Sequence, residues 1–282
     1  MIFSWRHLFT IFCLALTLAL CPASLAQCHD DAVEIKDESD NKGVVFYVSS
    51  KRTIEATVNF RCESLQNLTP SHPLPLTFTV DKTYQHYEIL RFRQTDSGQR
   101  WQWGQYHFFF VMGAPSTLPT SNFIYSLPYA ASVHCRIGQS YFGTFSHQAG
   151  TADQYAVDIS MPEGTPILAA RGGKIIAYRD DSNQGGISPD YKQCCNYINV
   201  KHDDGTYAAY VHLKYKGVAV QLGQQVAAGT LLGYSGATGW VTNPHLHFMV
   251  YRINAPAALQ TLPFRMRTPL GVVPQLLSGQ TY

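Results

Sequence analysis

His245 and His247 stand two residues apart in Asn243-Pro244-His245-Leu246-His247-Phe248, and the run that follows, Phe248-Met249-Val250-Tyr251, favours a strand. Residues i and i+2 of a strand share a face. Both imidazoles therefore aim at one point while Leu246 points away. Imidazole is the commonest protein metal ligand and a frequent general base, so the pair suggests a metal or proton-transfer site. A lone His-x-His also occurs on plain surfaces and in cores, and the rest of the chain must decide. Asp158 lies in Tyr155-Ala156-Val157-Asp158-Ile159, a carboxylate inside an apolar strand. An unpaired buried charge is costly; a metal, a histidine or a plain salt bridge would each satisfy it. His212, in Ala209-Tyr210-Val211-His212-Leu213, falls on another expected strand, and alone it reads as a core histidine. His147 sits at a loop edge in Phe145-Ser146-His147-Gln148. Three protein ligands plus an open position for water is the usual catalytic zinc arrangement, and a nearby imidazole then moves a proton or stabilises an oxyanion. One carboxylate and four histidines in one β-rich region can supply that set without a cysteine.

The elements that position these residues read as short strands throughout. The chain has 282 residues, few charged residues, 17 Tyr and 15 Phe, which suits a β-rich protein with ample core. Its net charge of +2 gives no reason to expect nucleic acid or a membrane surface as partner. Residues 1–26 read as a signal peptide: Arg6 and His7 precede the apolar run Leu8–Leu20, and Ser24 and Ala26 fit a cleavage site after Ala26. That run is too short to span a bilayer stably, and no second one reaches 18 residues, so the mature protein should have no membrane span. Export makes disulfides plausible. Of the five cysteines left, Cys28–Cys62 and Cys135 with Cys194 or Cys195 are the expected pairings, leaving one thiol over. No zinc-ligand spacing surrounds Cys194-Cys195.

Residues 27–112 read as a small β-sandwich. Ile54, Ala56, Val58, Phe60 and Cys62 alternate with polar residues, a strand with one wet face. Val44–Val48, Leu76–Val80, Tyr87–Phe92 and Tyr106–Met112 are further strands, separated by turn-rich pieces. His72, His86 and His107 are scattered through this part, which reads as an accessory domain that positions or covers the rest. Residues 113–130, with Gly113-Ala114-Pro115 and Leu118-Pro119, resemble a linker. From 131 onward glycine becomes frequent. Strands are expected at Ala156–Ile159, Pro166–Ala170, Lys174–Tyr178, Tyr197–Lys201, Tyr207–Leu213, Gln225–Ala227, Leu231–Tyr234 and His247–Arg252. Asp204-Gly205 marks a hairpin. No βαβ alternation occurs, so the sheet should be antiparallel. Asp180–Gln193 reads as a loop beside the cleft, which a disulfide at Cys194-Cys195 would stiffen. Residues 256–282 read as a tail.

The order of motifs resembles one known family. Asp158-Ile159-Ser160-Met161-Pro162-Glu163-Gly164-Thr165-Pro166, Tyr210-Val211-His212-Leu213, Gly233-Tyr234-Ser235-Gly236-Ala237-Thr238-Gly239 and Pro244-His245-Leu246-His247-Phe248 resemble the M23 (LytM/lysostaphin-type) metallopeptidases. The resemblance covers about residues 131–255 and does not extend to 27–112. It implies an antiparallel β-sheet peptidase domain holding one Zn2+ per chain, with peptidoglycan as partner. It implies Asp158 and His247 as zinc ligands, and His212 and His245 as the catalytic histidines that handle the water and the oxyanion. The family's His-x-x-x-Asp spacing would put the third ligand at 154, which is Gln154 here. His147, eleven residues before Asp158, is the nearest upstream histidine and takes that role. The expectation is thus an all-β, exported, monomeric zinc metalloendopeptidase that cuts cross-links or stem peptides of peptidoglycan. Two other readings stand beside it: a degenerate wall-binding or amidase-regulating module, and a zinc peptidase of other exported proteins. The bond cut is not readable from the residues.

Overall fold

A computed structural model describes residues 32–51, 54–117 and 122–282. The expected signal peptide, its cleavage site and Cys28 lie outside the described residues. Strands β1 (Glu34–Asp40), β2 (Gly43–Ser49), β3 (Ala56–Cys62), β4 (Leu76–Val80), β5 (Tyr87–Gln94) and β6 (Tyr106–Met112) build the N-terminal part. One sheet runs β1-β2-β5 and ends on Leu68–Pro70; a second runs β4-β3-β6. Every pairing in both is antiparallel. The alternation in the sequence explains why they stack. Val44, Phe46 and Val48 of β2, Val58 and Phe60 of β3 and Leu90 and Phe92 of β5 point inward and are at most 1% exposed. The Phe46 ring meets Phe60 of the other sheet edge-on, centroids 4.9 Å apart, a preferred aromatic geometry. The result is a small sandwich. β1 was not expected: Glu34-Ile35-Lys36-Asp37-Glu38-Ser39-Asp40 is mostly charged, but it is an edge strand, where charges discourage further pairing.

The other face of β3 is not wet. Thr57 and Asn59 are buried as well, because this part docks on the remainder of the chain. Thr57 donates its hydroxyl to the Gly113 carbonyl at 2.7 Å. Glu55 accepts from Lys201 Nζ at 2.8 and 2.9 Å and from the Tyr207 hydroxyl at 2.6 Å. Tyr251 donates its hydroxyl toward the Met112 carbonyl or Asn199 Oδ1, both at 2.9 Å. On β3 polar residues meet this interface, so periodicity alone could not separate that face from a solvated one.

The C-terminal part holds β7 (Ile124–Ser126), β8 (Arg136–Gln139), β9 (Val157–Ser160), β10 (Gly173–Arg179), β11 (Tyr197–Lys201), β12 (Tyr207–Val211), β13 (Leu213–Val218), β14 (Leu231–Ser235), β15 (His245–Asn254), β16 (Ala258–Leu262) and β17 (Arg265–Thr268). Its main sheet runs β8-β9-β15-β12-β11-β10 and ends on Gln225–Val226, with β16 also paired to β15. All of these pairings are antiparallel. Among the described residues, short parallel strand pairings lie elsewhere, β7 with β17 and Gly185–Gly186 with Gly239–Trp240. A smaller sheet of Pro166–Leu168, β14 and β13 covers one face of the main sheet. Leu246, Phe248 and Val250 of β15 point into the core between them. Met249, Tyr251 and Ile253 point the other way, against Val111 and Met112 of the sandwich. By the same alternation His245 and His247 lie on this second face. The sandwich therefore occupies the site's own side of the sheet, further along β15.

Several expectations are revised. The stretch 113–130, read as a linker, contains β7, and Tyr125 and Tyr129 are buried in the core. The tail 256–282 supplies β16 and β17 and buries Phe264, Met266 and Leu276. The loop Asp180–Gln193 ends in a 3-10 turn, Pro189–Cys194, capped by Ser188. Cys62 and Cys135 carry free thiols, so neither the Cys28–Cys62 pairing nor one from Cys135 to Cys194 or Cys195 forms. Cys62 instead lies close to the Ser64 and Gly104 carbonyls, and Cys135 is packed in the core. Cys194, at the end of the cleft loop, is disulfide-bonded. Among the described residues no helix is long and apolar enough to cross a membrane.

Candidate metal centre and catalytic histidines

Register brings the site together. Asp158 on β9 lies directly opposite His247 on β15, and His247 lies opposite Val211 at the end of β12. Directly opposed residues share a face, so Asp158 and His247 meet while Leu246 and Phe248 fill the core. The next residue after β12 is His212, and it is not a strand residue. Its φ of 66° falls in the left-handed region between β12 and β13, a conformation uncommon for a non-glycine residue and frequent at functional sites. His147 arrives from a loop between β8 and β9 and is fully buried.

Asp158 Oδ1 is the focus. It lies 2.9 Å from His247 Nδ1, 3.3 Å from His147 Nε2 and 3.7 Å from His245 Nε2. His147, Asp158 and His247 each offer a ligand atom within 4.8 Å of the others. The rings of His212 and His245 stand 4.7 Å apart, and His212 lies 5.9 Å from His247. All five expected site residues therefore converge.

The hydrogen bonds set each imidazole. A backbone carbonyl can only accept, so the ring nitrogen facing it must carry the proton. Nδ1 of His147 faces the Ser140 carbonyl at 3.2 Å, Nδ1 of His212 faces Thr238 at 2.7 Å and Nδ1 of His245 faces Asn243 at 2.8 Å. At His212, which burial keeps neutral, Nε2 is left as the bare, basic nitrogen. Metal-ligating histidines are held by this kind of outer partner. Thr238 is itself fixed: its hydroxyl donates to the Leu213 carbonyl at 2.7 Å and accepts from the Asn196 amide at 3.0 Å. Burial and then the neighbouring imidazoles push His212 down to about 3, so it is neutral at pH 7. Burial alone would raise Asp158, but the adjoining His147 and His247 imidazoles hold it well below the usual carboxylate range. Burial opposes charge on His247, yet Asp158 outweighs it and raises its pKa.

The donor set fits a zinc ion. Nε2 of His147 is buried and has no hydrogen-bond partner, which costs about 1–3 kcal/mol unless something fills the gap. Two imidazoles and one carboxylate are a common catalytic zinc set. Sequence reasoning missed Ser140 and Thr238, which act through main-chain carbonyls that leave no signature. It also missed Gln139, which touches Asp158 Oδ2 at 3.0 Å.

The antiparallel sheet thus presents two histidines and a carboxylate at one point, a group that could hold a metal ion, flanked by two more histidines. Residues 152–258 match the model of peptidase family M23 and form a domain of that family. His147 lies five residues before the matched range. Lysostaphin of Staphylococcus simulans is 40% identical over 114 residues, 39% of this chain and 21% of that protein. The peptidoglycan DD-endopeptidase ShyA of Vibrio cholerae is 33% identical over 97 residues, 34% of this chain and 20% of that protein. The chain thus spans about a fifth of the length of these relatives. Among solved structures, the catalytic domain of lysostaphin from Staphylococcus simulans is 29% identical, covering 43% of this chain and 85% of that one, with a TM-score of 0.29.

Proposed function

We propose that this chain is an exported zinc metalloendopeptidase that hydrolyses peptide bonds in the cross-links or stem peptides of peptidoglycan. The observation that carries this is the convergence of His147, Asp158 and His247, with the buried Nε2 of His147 lacking a hydrogen-bond partner and lying 3.3 Å from Asp158 Oδ1, beside the rings of His212 and His245. His147, Asp158 and His247 would hold the ion. A zinc ion there supplies Lewis acidity, polarising an amide carbonyl and acidifying water near neutral pH. The chain's own contribution is orientation and proton handling. Asp158 fixes His247 through one carboxylate oxygen. The Ser140 carbonyl fixes His147. His212 is neutral, its Nε2 lone pair faces the site, and it accepts a proton or hydrogen bond from the attacking water. His245, held by Asn243, faces the same space and, when its Nε2 carries a proton, donates a hydrogen bond to the oxygen on which charge develops. Such groups contribute on the order of 10²–10³-fold each.

The M23 domain and its likeness to lysostaphin and to a peptidoglycan DD-endopeptidase support this substrate class. The apolar run Leu8–Leu20 followed by Ser24 and Ala26 supports export. Gln154 at the family's usual ligand position is the one feature favouring a degenerate binding or regulatory module. The test is to incubate the full mature chain with purified peptidoglycan sacculi and, in parallel, with an unfolded protein substrate. Muropeptide release that a chelator abolishes, without comparable proteolysis, is the expected result. Proteolysis of the protein alone would sink the substrate assignment, and no cleavage of either would favour the degenerate module.

A further inference from the structure

The eleven-residue separation of His147 from Asp158 raises a mechanical question: what holds a ligand carried on so long a loop in register with one carried on a strand. β8 and β9 pair with a shift between Ile137 and Gln139, so that Gln139, and not Gly138, lies opposite Asp158. Such bulges re-aim a side chain, and here Gln139 turns onto the site face. Its amide then uses its full capacity. Nε2 donates to Asp158 Oδ2 at 3.0 Å and to Ser146 Oγ at 2.9 Å. Oε1 accepts from the Phe145 and Ser146 amides at 3.0 and 3.1 Å. The partners fix the orientation of the amide, since two backbone N–H groups require the oxygen and a carboxylate requires the nitrogen. One side chain thus grips Asp158 by the oxygen that faces away from the histidines and grips the two residues that precede His147. The turn is shaped around it: a Cβ at Gly143 would collide with Cγ, Cδ and Oε1 of Gln139.

We propose that Gln139 is the positioning residue of the metal centre, locking the His147 loop to Asp158 so that the two ligands converge. This rests on the proposed zinc site. The test compares the full mature chain with Gln139→Met, which keeps the volume and removes every hydrogen bond, and Gln139→Asn, which keeps the amide one methylene short. Zinc affinity is measured by chelator competition, ligand geometry by the visible absorption of the cobalt-substituted protein, and folding by the thermal midpoint of the metal-free protein. Outer-sphere partners of metal ligands are typically worth about 10–100-fold in affinity. The expected result is a loss of that size with an altered cobalt spectrum in variants whose metal-free midpoints are close to wild type. If Gln139→Met does not fold, Gln139→Asn is read alone. Affinity within about twofold of wild type and an unchanged cobalt spectrum in a folded variant would overturn the role of Gln139 and leave the metal centre standing. A wild-type chain that takes up no zinc would overturn the metal centre and this inference together.

Discussion

Replacing His202 by phenylalanine should flatten the acid side of the protein's stability curve. His202 lies beyond β11, 2% exposed, with Nδ1 donating to the Gly172 carbonyl at 2.8 Å and Nε2 buried without a hydrogen-bond partner. Burial, aided by the nearby Arg171 and opposed by the Gly172 carbonyl, lowers its pKa from 6.5 to about 4. Above pH 6.5 neither the folded nor the unfolded chain protonates this residue, and it adds no pH dependence. Between 6.5 and 4 the unfolded chain binds a proton that the folded chain does not, so stability falls as pH falls. At about 1.4 kcal/mol per pH unit this amounts to about 3 kcal/mol at pH 4. Phenylalanine removes that penalty; the hydrogen bond it gives up and the unsatisfied Nε2 it removes are offsets that do not vary with pH. The stability of the variant relative to wild type should therefore be constant above about pH 7 and rise by about 3 kcal/mol between pH 7 and pH 4. Urea unfolding of both metal-free proteins across this range isolates the effect, because every other titrating group is common to both. A difference that stays constant with pH, or that shifts toward wild type in acid, would refute the reasoning.

The remaining predictions concern the site and the interface. His245→Ala should retain zinc and lose most activity on sacculi; loss of zinc in that variant would show that His245 is a ligand. His212→Ala should lower turnover by on the order of 10²–10³-fold with zinc content unchanged, and near-wild-type turnover would remove it from the chemistry. Tyr251→Phe should destabilise the folded chain by about 1–3 kcal/mol in urea titrations, because the Met112 carbonyl and Asn199 Oδ1 then share no hydroxyl donor. An unchanged midpoint would mean that this contact does not couple the sandwich to the sheet.

Strand residues were legible wherever alternation was strong and one face was apolar. Tyr106–Met112, Leu76–Val80 and Tyr197–Lys201 fall where period two and β-branched or aromatic content placed them. The charged edge strand Glu34–Asp40 and the C-terminal strands Ala258–Leu262 and Arg265–Thr268 were not legible, because their partners, not their own residues, make them strands. Of the site, His245 and His247 could be read from spacing, since a strand fixes the direction of alternate side chains. Asp158, His147 and His212 needed the family resemblance, because residues far apart in sequence meet only through the β9–β15–β12 register. His212 was read as a strand residue, whereas its positive φ places it at a break between two strands. A single residue's φ has no periodic signature. Both expected disulfide pairings failed because cysteine order carries no information on which sheets become neighbours. Gln139 escaped for a related reason: only the bulge in β8 turns it toward Asp158.

The zinc content of the purified mature chain beside His147→Ala, measured by elemental analysis after dialysis against metal-free buffer, tests the metal centre most directly. About one zinc per wild-type chain and a clear loss in His147→Ala is the predicted result. Equal zinc in the two proteins would contradict it and place the third ligand elsewhere.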